Sequence, residues 1–347
     1  MTNKLPQNVF EVRTFAEKFK ELRELADLKQ GLIANKLYSK SGISMIERGV
    51  RLPAMENRKQ LVKKIKRLSD LDFDVDLYKT SAEEDLFLLF EKHKAIILSD
   101  KNVYNQILIE AEKHNADLLL ATLHHSVGKN LYKDEQYRES VRECTIALTY
   151  ASMNNYKRAY IHKSLADSYH ILNELLSAES NLEMALKLNK DESEFRFRCL
   201  FLLAKVYENQ KDSKRCWATL RKIYKDYDDP IKHEYADMVK AYIMHEDGNI
   251  AEAIQFAEEK LKKASDENKA YWLYNLSAFC KNNKDYDKSI IYLKKSIKRE
   301  DNKSNRIKSF VMLGEVYILT MRVSEARNIL ISVHDDVIKL GDIYQIL

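Results

Sequence analysis

The residues of this sequence that are best able to do chemistry are the basic side chains of its first 70 positions. Residues 1–70 contain 16 Lys or Arg against 8 Asp or Glu, a balance of +8, whereas the other 277 residues carry 42 basic against 45 acidic, a balance of −3. A charge excess confined to one end of a chain is typical of a partner bound there, most often a polyanion. The alternative is a basic end that only keeps the protein soluble.

Helical patterns predict how this basic end positions its side chains. Residues 15–28 have apolar side chains on one side of an amphipathic helix, residues 30–37 form a short second helix, and residues 40–49 form a third. A further helix follows around Leu61, Ile65 and Leu68. The basic end is therefore expected to be a small helical domain.

The spacing of several residues in this domain is that of a known class. Arg23 precedes Gln30 by seven residues, Ala34 follows Gln30 by four, and residues 43–53 read I-S-x-I-E-R-G-x-R-x-P. This run closely resembles the helix-turn-helix domain of the lambda-repressor/Cro class, although the turn before residue 43 is one residue shorter than usual there. The resemblance implies a DNA-binding domain.

The resemblance also implies roles for particular residues, because in this class the second of the paired helices lies in the major groove. Base contacts are expected from Lys40, Ser41 and Ser44, and contacts to the DNA backbone from Gln30, Arg48 and Arg51. Lys40 is expected to discriminate most, because lysine can bind guanine O6 and N7. Glu47 is expected to pair with Arg23 and so join the first helix to the third.

The rest of the chain is organised by a small-residue pair that recurs six times. The pairs are Val127-Gly128, Leu165-Ala166, Leu203-Ala204, Lys240-Ala241, Leu276-Ser277 and Leu313-Gly314, and the small residues twelve positions after them are Ser140, Ala178, Cys216, Ala253, Ser289 and Ala326. The second members of the pairs are 38, 38, 37, 36 and 37 residues apart. Such a period predicts stacked helical hairpins whose two backbones approach closely at the same point in each unit.

These units resemble the tetratricopeptide repeat, which has a small residue on each of two antiparallel helices. The match is good in the units that begin near Ala121, Ala159, Ala270 and Ile307, and a degenerate unit is expected at 81–115. The predicted fold is therefore all-α, with a helix-turn-helix domain at 1–68, a connector at 69–80, and a right-handed tetratricopeptide-like solenoid of about seven hairpins at 81–347.

The repeat period predicts where a peptide would lie if the inner groove of such a solenoid bound one. Its predicted lining comes from the first helix of each repeat: His125, Lys129, Tyr132, Lys163, Asp167, His170, Phe201, Lys205, Glu208, Tyr242, His245, Tyr271, Tyr274 and Lys281. The lysines suit a peptide C-terminus or an acidic side chain, and the tyrosines can pack side chains and hydrogen-bond backbone. Asn130, Asn173 and Asn275 do not fall cleanly on the inner positions.

Two segments have open interpretations. The connector at 69–80 contains four aspartates between apolar residues, and it is either a partly rigid element, with its acids against the basic domain, or a solvated hinge. The apolar end at 341–347 either packs against a second subunit or folds back as a cap.

Composition and motifs argue against several other classes of protein. No run approaches the roughly 18 apolar residues of a membrane span, and no signal sequence is evident. The sequence has no zinc-protease motif, phosphate loop or nucleophile elbow, so neither an enzyme nor a cofactor or metal site is expected. The four cysteines are far apart, and Cys144, Cys216 and Cys280 occupy small or core positions, which predicts buried reduced thiols.

A helix-turn-helix domain followed by tetratricopeptide repeats is similar to the RRNPP group of regulators, which includes PlcR-like, NprR-like and arbitrium-receptor proteins. This resemblance covers almost the whole chain. It implies a cytoplasmic, dimeric transcription factor whose binding to a DNA operator is controlled by a short signalling peptide in the groove. The alternative is a tetratricopeptide adaptor or anti-regulator that acts by holding a protein partner.

Overall fold

The computed structural model of this protein describes residues 12–150 and 155–339, and all of their regular structure is helical. The first nine helices are α1 (Phe15–Leu25), α2 (Gln30–Ile33), α3 (Lys40–Glu47), α4 (Met55–Leu68), α5 (Val75–Tyr78), α6 (Ala82–Ser99), α7 (Lys101–Lys113), α8 (Asp117–Lys133) and α9 (Tyr137–Thr149). The others are α10 (Asn155–Ile171), α11 (Leu175–Leu188), α12 (Ser193–Asn209), α13 (Ser213–Asp226), α14 (Pro230–Glu246), α15 (Ile250–Lys263), α16 (Lys269–Asn282), α17 (Tyr286–Arg299), α18 (Lys303–Leu319) and α19 (Val323–Lys339). The predicted all-α fold is confirmed.

The described residues divide into two compact units. The first ends at Val127 and also contains the segment that starts at Ile146, and the second is made of Gly128–Thr145 and the residues from 155 onward. The predicted domain boundaries at residues 68 and 80 both fall inside the first unit. The predicted apolar end at 341–347 lies outside the described residues.

Helices α1 to α4 surround one apolar core, and we call these four helices the head. Its fully buried side chains are Phe15, Phe19, Leu22, Ile33, Ile43, Ile46, Leu61, Val62 and Ile65. A capping box starts α1: Thr14 accepts from the amide of Glu17, and the carboxylate of Glu17 accepts from the amide of Thr14. Two predicted helices are shorter than expected in this head.

Helix α1 was expected to end at Leu28, but it ends at Leu25. The backbone reaches the left-handed region at Asp27, where φ is 50°, and a left-handed residue ends a helix. Helix α2 was expected to reach Leu37, but it ends at Ile33. There the side chain of Asn35 accepts hydrogen bonds from the amides of Leu37 and Tyr38, at 2.8 and 2.9 Å, and this local turn competes with the helix.

The segment that follows α4 packs on the head. Leu71, Phe73, Val75 and Tyr78 contact its core, and the ammonium group of Lys66 donates to the carbonyl of Phe73 at 2.6 Å. Of the two interpretations of residues 69–80, the packed element describes the structure, and the solvated hinge does not. Its aspartates lie at the surface, where Asp72 and Asp76 pair with lysines.

In the second unit, α10 to α19 form five consecutive antiparallel hairpins. The small residues of the repeat lie at the points of closest approach, as predicted. The thiol of Cys216 donates to the carbonyl of Ala204 at 3.4 Å, and the hydroxyl of Ser289 donates to the carbonyl of Ser277 at 2.9 Å. A Cβ added at Gly128 would lie 2.7 Å from Sγ of Cys144. Larger side chains at these positions would hold the helices apart.

The turn of each of these five hairpins, and the turn between α8 and α9, contains one residue in the left-handed region. These residues are Glu135, Asn173, Lys211, Gly248, Lys284 and Met321, with φ between 58° and 89°. They recur with the spacing of the small pairs, so each hairpin closes with the same C-terminal helix motif. Only one of them is glycine, which is why the sequence pattern did not identify the motif.

The four cysteines are free and buried, as expected for reduced thiols that pack as small apolar side chains. Burial raises the pKa of Cys144, Cys199 and Cys216 to about 12, so these thiols stay protonated near neutral pH. No helix within the described ranges is long and apolar enough to cross a membrane.

Candidate functional site

The exposed side of α3 gathers the residues that were predicted to contact bases. Ser39 caps the helix by accepting from the amide of Gly42 at 3.2 Å, so Lys40 is the first helical residue and Ser41 the second. Ile43 and Ile46 face the core of the head. On the opposite side, Ser44 is partly exposed and four residues are exposed: Lys40, Ser41, Met45 and Arg48.

Met45 belongs to this exposed stripe, and the sequence analysis did not include it. Its side chain is 37% exposed although it is large and apolar. It lies one helical turn after Ser41 and beside Ser44 on the same face. The spacing of the serines was the signal that could have placed it there.

Glu47 joins three elements of the head. Nε and Nη2 of Arg23 donate to its two carboxylate oxygens at 2.6 and 3.1 Å, and Nε2 of Gln30 donates to Oε2 at 2.8 Å. The hydrogen bond with Glu47 raises the pKa of Arg23. The predicted pairing of Glu47 with Arg23 is therefore present, and the same carboxylate holds the amide of Gln30 at the start of α2.

The two arginines that were predicted to contact the DNA backbone differ in their surroundings. Nε of Arg48 lies 3.4 Å from the carbonyl of Ser44, within its own helix. The guanidinium of Arg51 lies over the ring of Tyr38, with its central carbon 4.9 Å from the ring centroid. Both side chains are exposed beyond the C-terminal end of α3.

Two ion pairs between the head and α6 were not expected from the sequence. The ammonium group of Lys18 lies 2.7 Å from Oδ2 of Asp85 and also donates to Oγ1 of Thr80 at 2.9 Å. The two terminal nitrogens of Arg58 donate to the two oxygens of Glu84 at 2.8 and 2.9 Å. Lys18 and Arg58 are only 5% and 4% exposed. Sequence shows the capping box of Ser81 and Glu84, but no local pattern indicates a partner 26 residues away.

In the second unit, two lysines of the predicted groove are in ion pairs and a third lies over an aromatic ring. Lys163 contacts both carboxylate oxygens of Asp167, at 2.6 and 2.8 Å, and Lys281 donates to Glu315 at 2.8 Å. Lys205 lies over the ring of Phe201, with 5.9 Å between the ammonium nitrogen and the ring centroid. A ligand in the predicted groove would therefore meet three lysines that already have an ion pair or a ring contact.

Burial shifts the titration of the groove residues towards their neutral forms. It lowers the pKa of His170 to about 4, with a further contribution from the positive charges of Lys205 and Lys163. It raises the pKa of Glu208 to about 7, with Lys205 acting in the opposite direction, and it raises the pKa of Asp167. Near neutral pH, His170 is uncharged and Glu208 is partly protonated.

Tyrosines line the groove further along the array. Tyr242 packs edge-on against Phe279 at 5.3 Å between centroids, and burial raises its pKa. Tyr271 and Tyr274 border a cavity of about 110 Å³, together with Glu300, Asn305, Lys308 and Ser309. Three other predicted groove residues have separate surroundings. Tyr132 packs against Tyr137, Lys129 is exposed, and His125 belongs to the first unit.

Two asparagines contact histidines of the predicted groove. The amide nitrogen of Asn209 lies 3.1 Å from Nε2 of His170, and that of Asn282 lies 3.0 Å from Nε2 of His245, so the same contact joins two separate pairs of neighbouring hairpins. Because an amide nitrogen can only donate, the imidazole nitrogens accept. Asn275 is 1% exposed, and neither of its amide atoms has a hydrogen-bond partner in the described part of the chain.

Comparisons with known proteins show the fold. No protein-family model matches the chain, and no curated protein matches it. A tetratricopeptide repeat protein from Parabacteroides merdae is similar over 75% of this chain and 98% of its own, with 15% identity and a TM-score of 0.59. The chain contains a tetratricopeptide-like solenoid.

Two further solved structures have the same kind of likeness. NprR, solved in complex with its cognate peptide NprX, is similar over 72% of this chain and 77% of its own, with 15% identity and a TM-score of 0.51. Aspartyl phosphate phosphatase F from Bacillus subtilis is similar over 96% of this chain and 95% of its own, with 12% identity and a TM-score of 0.50. At such identities the likeness concerns the fold alone.

Proposed function

We propose that this protein is a cytoplasmic, dimeric transcription regulator whose binding to a DNA operator is controlled by a short peptide in the groove of the solenoid. The observation that carries the proposal is the exposed stripe on α3. Lys40 begins it, Arg48 ends it, and serines and Met45 lie between them on the face opposite the core. A short helix that is buried on one side and cationic and polar on the other suits the major groove of DNA.

The peptide half of the proposal is supported by the groove. The predicted groove residues include aromatic rings and buried polar groups, and both amide atoms of Asn275, next to Tyr274, are without a hydrogen-bond partner within 3.5 Å among the described residues. A buried amide gains from a partner that supplies both a donor and an acceptor, as a peptide backbone does. NprR, which shares the fold, was solved with a cognate peptide.

The first experiment selects operator sequences from randomised duplexes with the full-length protein and then measures affinity against salt. We expect Lys40→Ala to weaken binding of the selected duplex by about 1–3 kcal/mol and to flatten its sequence preference. Arg48→Ala should lower the salt slope by about 0.9, the contribution of one phosphate contact. Lys92→Ala, on the exposed side of α6, is the matched control and should change neither quantity.

A second measurement tests Met45 as a reader of thymine methyl groups. Replacing thymine by uracil, one position at a time, removes only the methyl group. At one position this change should weaken binding by the wild-type protein and leave Met45→Ala unaffected. Failure to select any specific duplex, combined with capture of a protein on the groove, would favour the adaptor alternative.

A further inference from the structure

The solenoid carries a second basic stretch that the overall balance of its sequence hides. Residues 260–308 contain 14 Lys or Arg against 6 Asp or Glu, a balance of +8 within a region whose total is slightly acidic. Basic residues close α15 and α17: Lys260, Lys262 and Lys263 lie in the last turn of the first, and Lys298 and Arg299 in the last turn of the second. The last turns of α11 and α13 have one lysine each, so compensation of the helix dipole does not require so many.

Part of this stretch borders an open cleft of about 540 Å³ between α15, α16 and α17. Its lining consists of Leu261, Leu273 and Tyr292 on the apolar side and Lys269, Lys295, Lys298 and Arg299 on the basic side. Clefts of roughly 300–1,000 Å³ with apolar walls and a few polar groups are the usual form of small-molecule sites. We call this the basic cleft.

Three of the four cations in the basic cleft are not in an ion pair with any described residue, although the charge of Asp266 is near enough to interact with Arg299. Among the described residues, no carboxylate lies within 4.0 Å of Lys295, Lys298 or Arg299, whereas Lys269 pairs with Asp266 at 2.7 Å. The carboxylate of Asp266 is 87% exposed. The hydroxyl of Tyr292 donates to Glu258 at 2.8 Å, which fixes the ring beside the cations.

The preceding repeat has an equivalent cleft with a different charge pattern. It measures about 460 Å³ and is lined by Glu234, Asp237, Lys260 and Lys263, among others. There Asp237 lies 2.5 Å from Lys260, and Glu234 accepts from the indole of Trp272. That cleft therefore contains two carboxylates, and one of them pairs with Lys260.

Repeat register shows what changed between the two clefts. The repeats are offset by 36 residues here, so Lys262 and Lys263 correspond to Lys298 and Arg299. The acids Glu234 and Asp237 correspond to Ala270 and Leu273. The basic cleft thus has cations at the positions of Lys262 and Lys263, has Ser296 in place of Lys260, and has apolar side chains where its neighbour has carboxylates.

We propose that the basic cleft binds an organic phosphate, a small molecule that combines at least two negative charges with an apolar or aromatic part. Several unpaired cations in a concave site raise the local concentration of anions. Arginine binds phosphate oxygens in pairs, whereas a single carboxylate would leave most of this charge uncompensated. The walls of Leu261, Leu273 and Tyr292 favour an organic part over inorganic phosphate. This site is independent of the proposed DNA and peptide sites.

The test is calorimetric titration of the full-length protein with three probes: ATP, tripolyphosphate and a duplex of random sequence. We expect saturable binding of ATP with a dissociation constant of about 0.1–1 mM, and weaker binding of tripolyphosphate, which lacks the organic part. K298E/R299E should weaken ATP binding by about tenfold or more, because each lost charge-assisted hydrogen bond counts for that much. The matched control K262E/K263E changes the equivalent positions of the preceding repeat and should leave ATP binding unchanged.

Several results would overturn the proposal. They are the absence of saturable ATP binding, equal losses in the two double variants, or duplex DNA that displaces ATP and loses affinity in K298E/R299E to the same degree. Tripolyphosphate that binds as tightly as ATP would overturn the role of the apolar wall. All four substituted side chains are in last helical turns, so far-UV circular dichroism should be unchanged, and K295E tests the same cleft from a third position.

Discussion

The joint between the head and α6 and the joint between the two helices of a hairpin use different interactions. The head is attached to α6 by Lys18 with Asp85 and by Arg58 with Glu84, in which both cations are almost fully buried. Within a hairpin of the second unit, small neutral side chains lie where the two helices approach closely, and Cys216 and Ser289 each donate to a carbonyl twelve residues earlier. The first joint depends on buried charges, and the second depends on small side-chain volume.

This difference predicts which kind of substitution destabilises each joint. A bidentate pair such as Arg58 with Glu84 has one good geometry, so it fixes the orientation of the head on α6. Contacts between small side chains within a hairpin depend on close packing, so they are sensitive to any added side-chain volume. We therefore expect the loss of one charge to destabilise the joint of the head with α6, and an added Cβ to destabilise a hairpin.

The largest expected effect comes from breaking the pair of Arg58 and Glu84. Glu84→Gln keeps the shape and the cap of α6 and leaves the buried guanidinium without a counter-charge. We expect a loss of about 3 kcal/mol in the free energy of unfolding, the low end for a buried pair because the Glu84 side chain is 35% exposed. Urea titration followed by circular dichroism measures it.

Two controls sharpen this prediction. Arg58→Met combined with Glu84→Gln should recover most of the loss, since no buried charge remains. Glu21→Gln removes the partner of Arg13 in an exposed pair on the same head and should cost less than about 0.5 kcal/mol. A double variant as unstable as Glu84→Gln alone would contradict the assignment of the loss to the unpaired charge.

The next effect concerns Glu208, a carboxyl group of the predicted groove whose pKa is raised by burial. The pKa of Glu208 is about 7 in the folded protein against 4.5 for an unperturbed glutamate, so the folded state binds more protons, and stability falls as the pH rises through this window. Glu208→Gln should therefore be more stable than the wild type at pH 8, by up to about 3 kcal/mol, and equally stable at pH 4. Thermal unfolding across this pH range checks both statements.

His170 acts in the opposite direction and does not confuse this comparison. Its pKa of about 4 lies below the ordinary 6.5, so its contribution to stability is lost as the pH falls through that interval. Because both proteins contain His170, it cancels in their difference. Glu267→Gln, at an exposed position, is the control, and a pH-independent gain in Glu208→Gln would show that burial of the charge is not its cause.

A smaller effect is expected from the close contacts of the repeat. Gly128→Ala places a Cβ 2.7 Å from Sγ of Cys144 and 3.3 Å from the carbonyl oxygen of Ser140, which outweighs the helical preference of alanine and should cost about 1–2 kcal/mol. At Gly314 the added Cβ meets only the side chain of Leu330, which can rotate, so the net change should stay within about 1 kcal/mol. Chemical unfolding compares the two.

The contact with Cys144 can be tested separately. Gly128→Ala with Cys144→Ala removes the side chain that the new Cβ meets, and we expect it to be more stable than the sum of the single changes. Strict additivity would mean that the thiol does not limit the approach of the two helices.

The smallest effect is at the turns. Met321 has φ of 59° and is 84% exposed, so Met321→Gly removes backbone strain and loses no packing. We expect a gain of about 0.5–1 kcal/mol in the free energy of unfolding. Gly248→Ala, at the equivalent turn of another hairpin, should lose a similar amount. The same sign for both changes would show that the left-handed conformation does not govern the turns.

Much of the fold could be predicted because it depends on periodic features. The small pairs located the hairpins, and the resemblance of the head to the lambda-repressor/Cro class implied the contact of Glu47 with Arg23 that the structure contains. The ends of α1 and α2 were misplaced, since they depend on a left-handed residue and on one side-chain turn at Asn35. The groove residues were predicted as single positions, and their pairing, such as Lys163 with Asp167, involves distances that a one-dimensional pattern does not contain.

The sequence by itself determined the all-helical architecture, the repeat length and the cationic stripe of α3, because periodicity and composition act locally along the chain. Only the tertiary structure decided which charges are neutralised. It paired Arg58 with a carboxylate 26 residues away, lowered the pKa of His170 by burial, and left Lys298 and Arg299 without the acids that face Lys260 and Lys263 in the preceding repeat. The physical reason is that a charge interacts with whatever lies within a few ångströms of it, and that neighbourhood exists only after the helices pack.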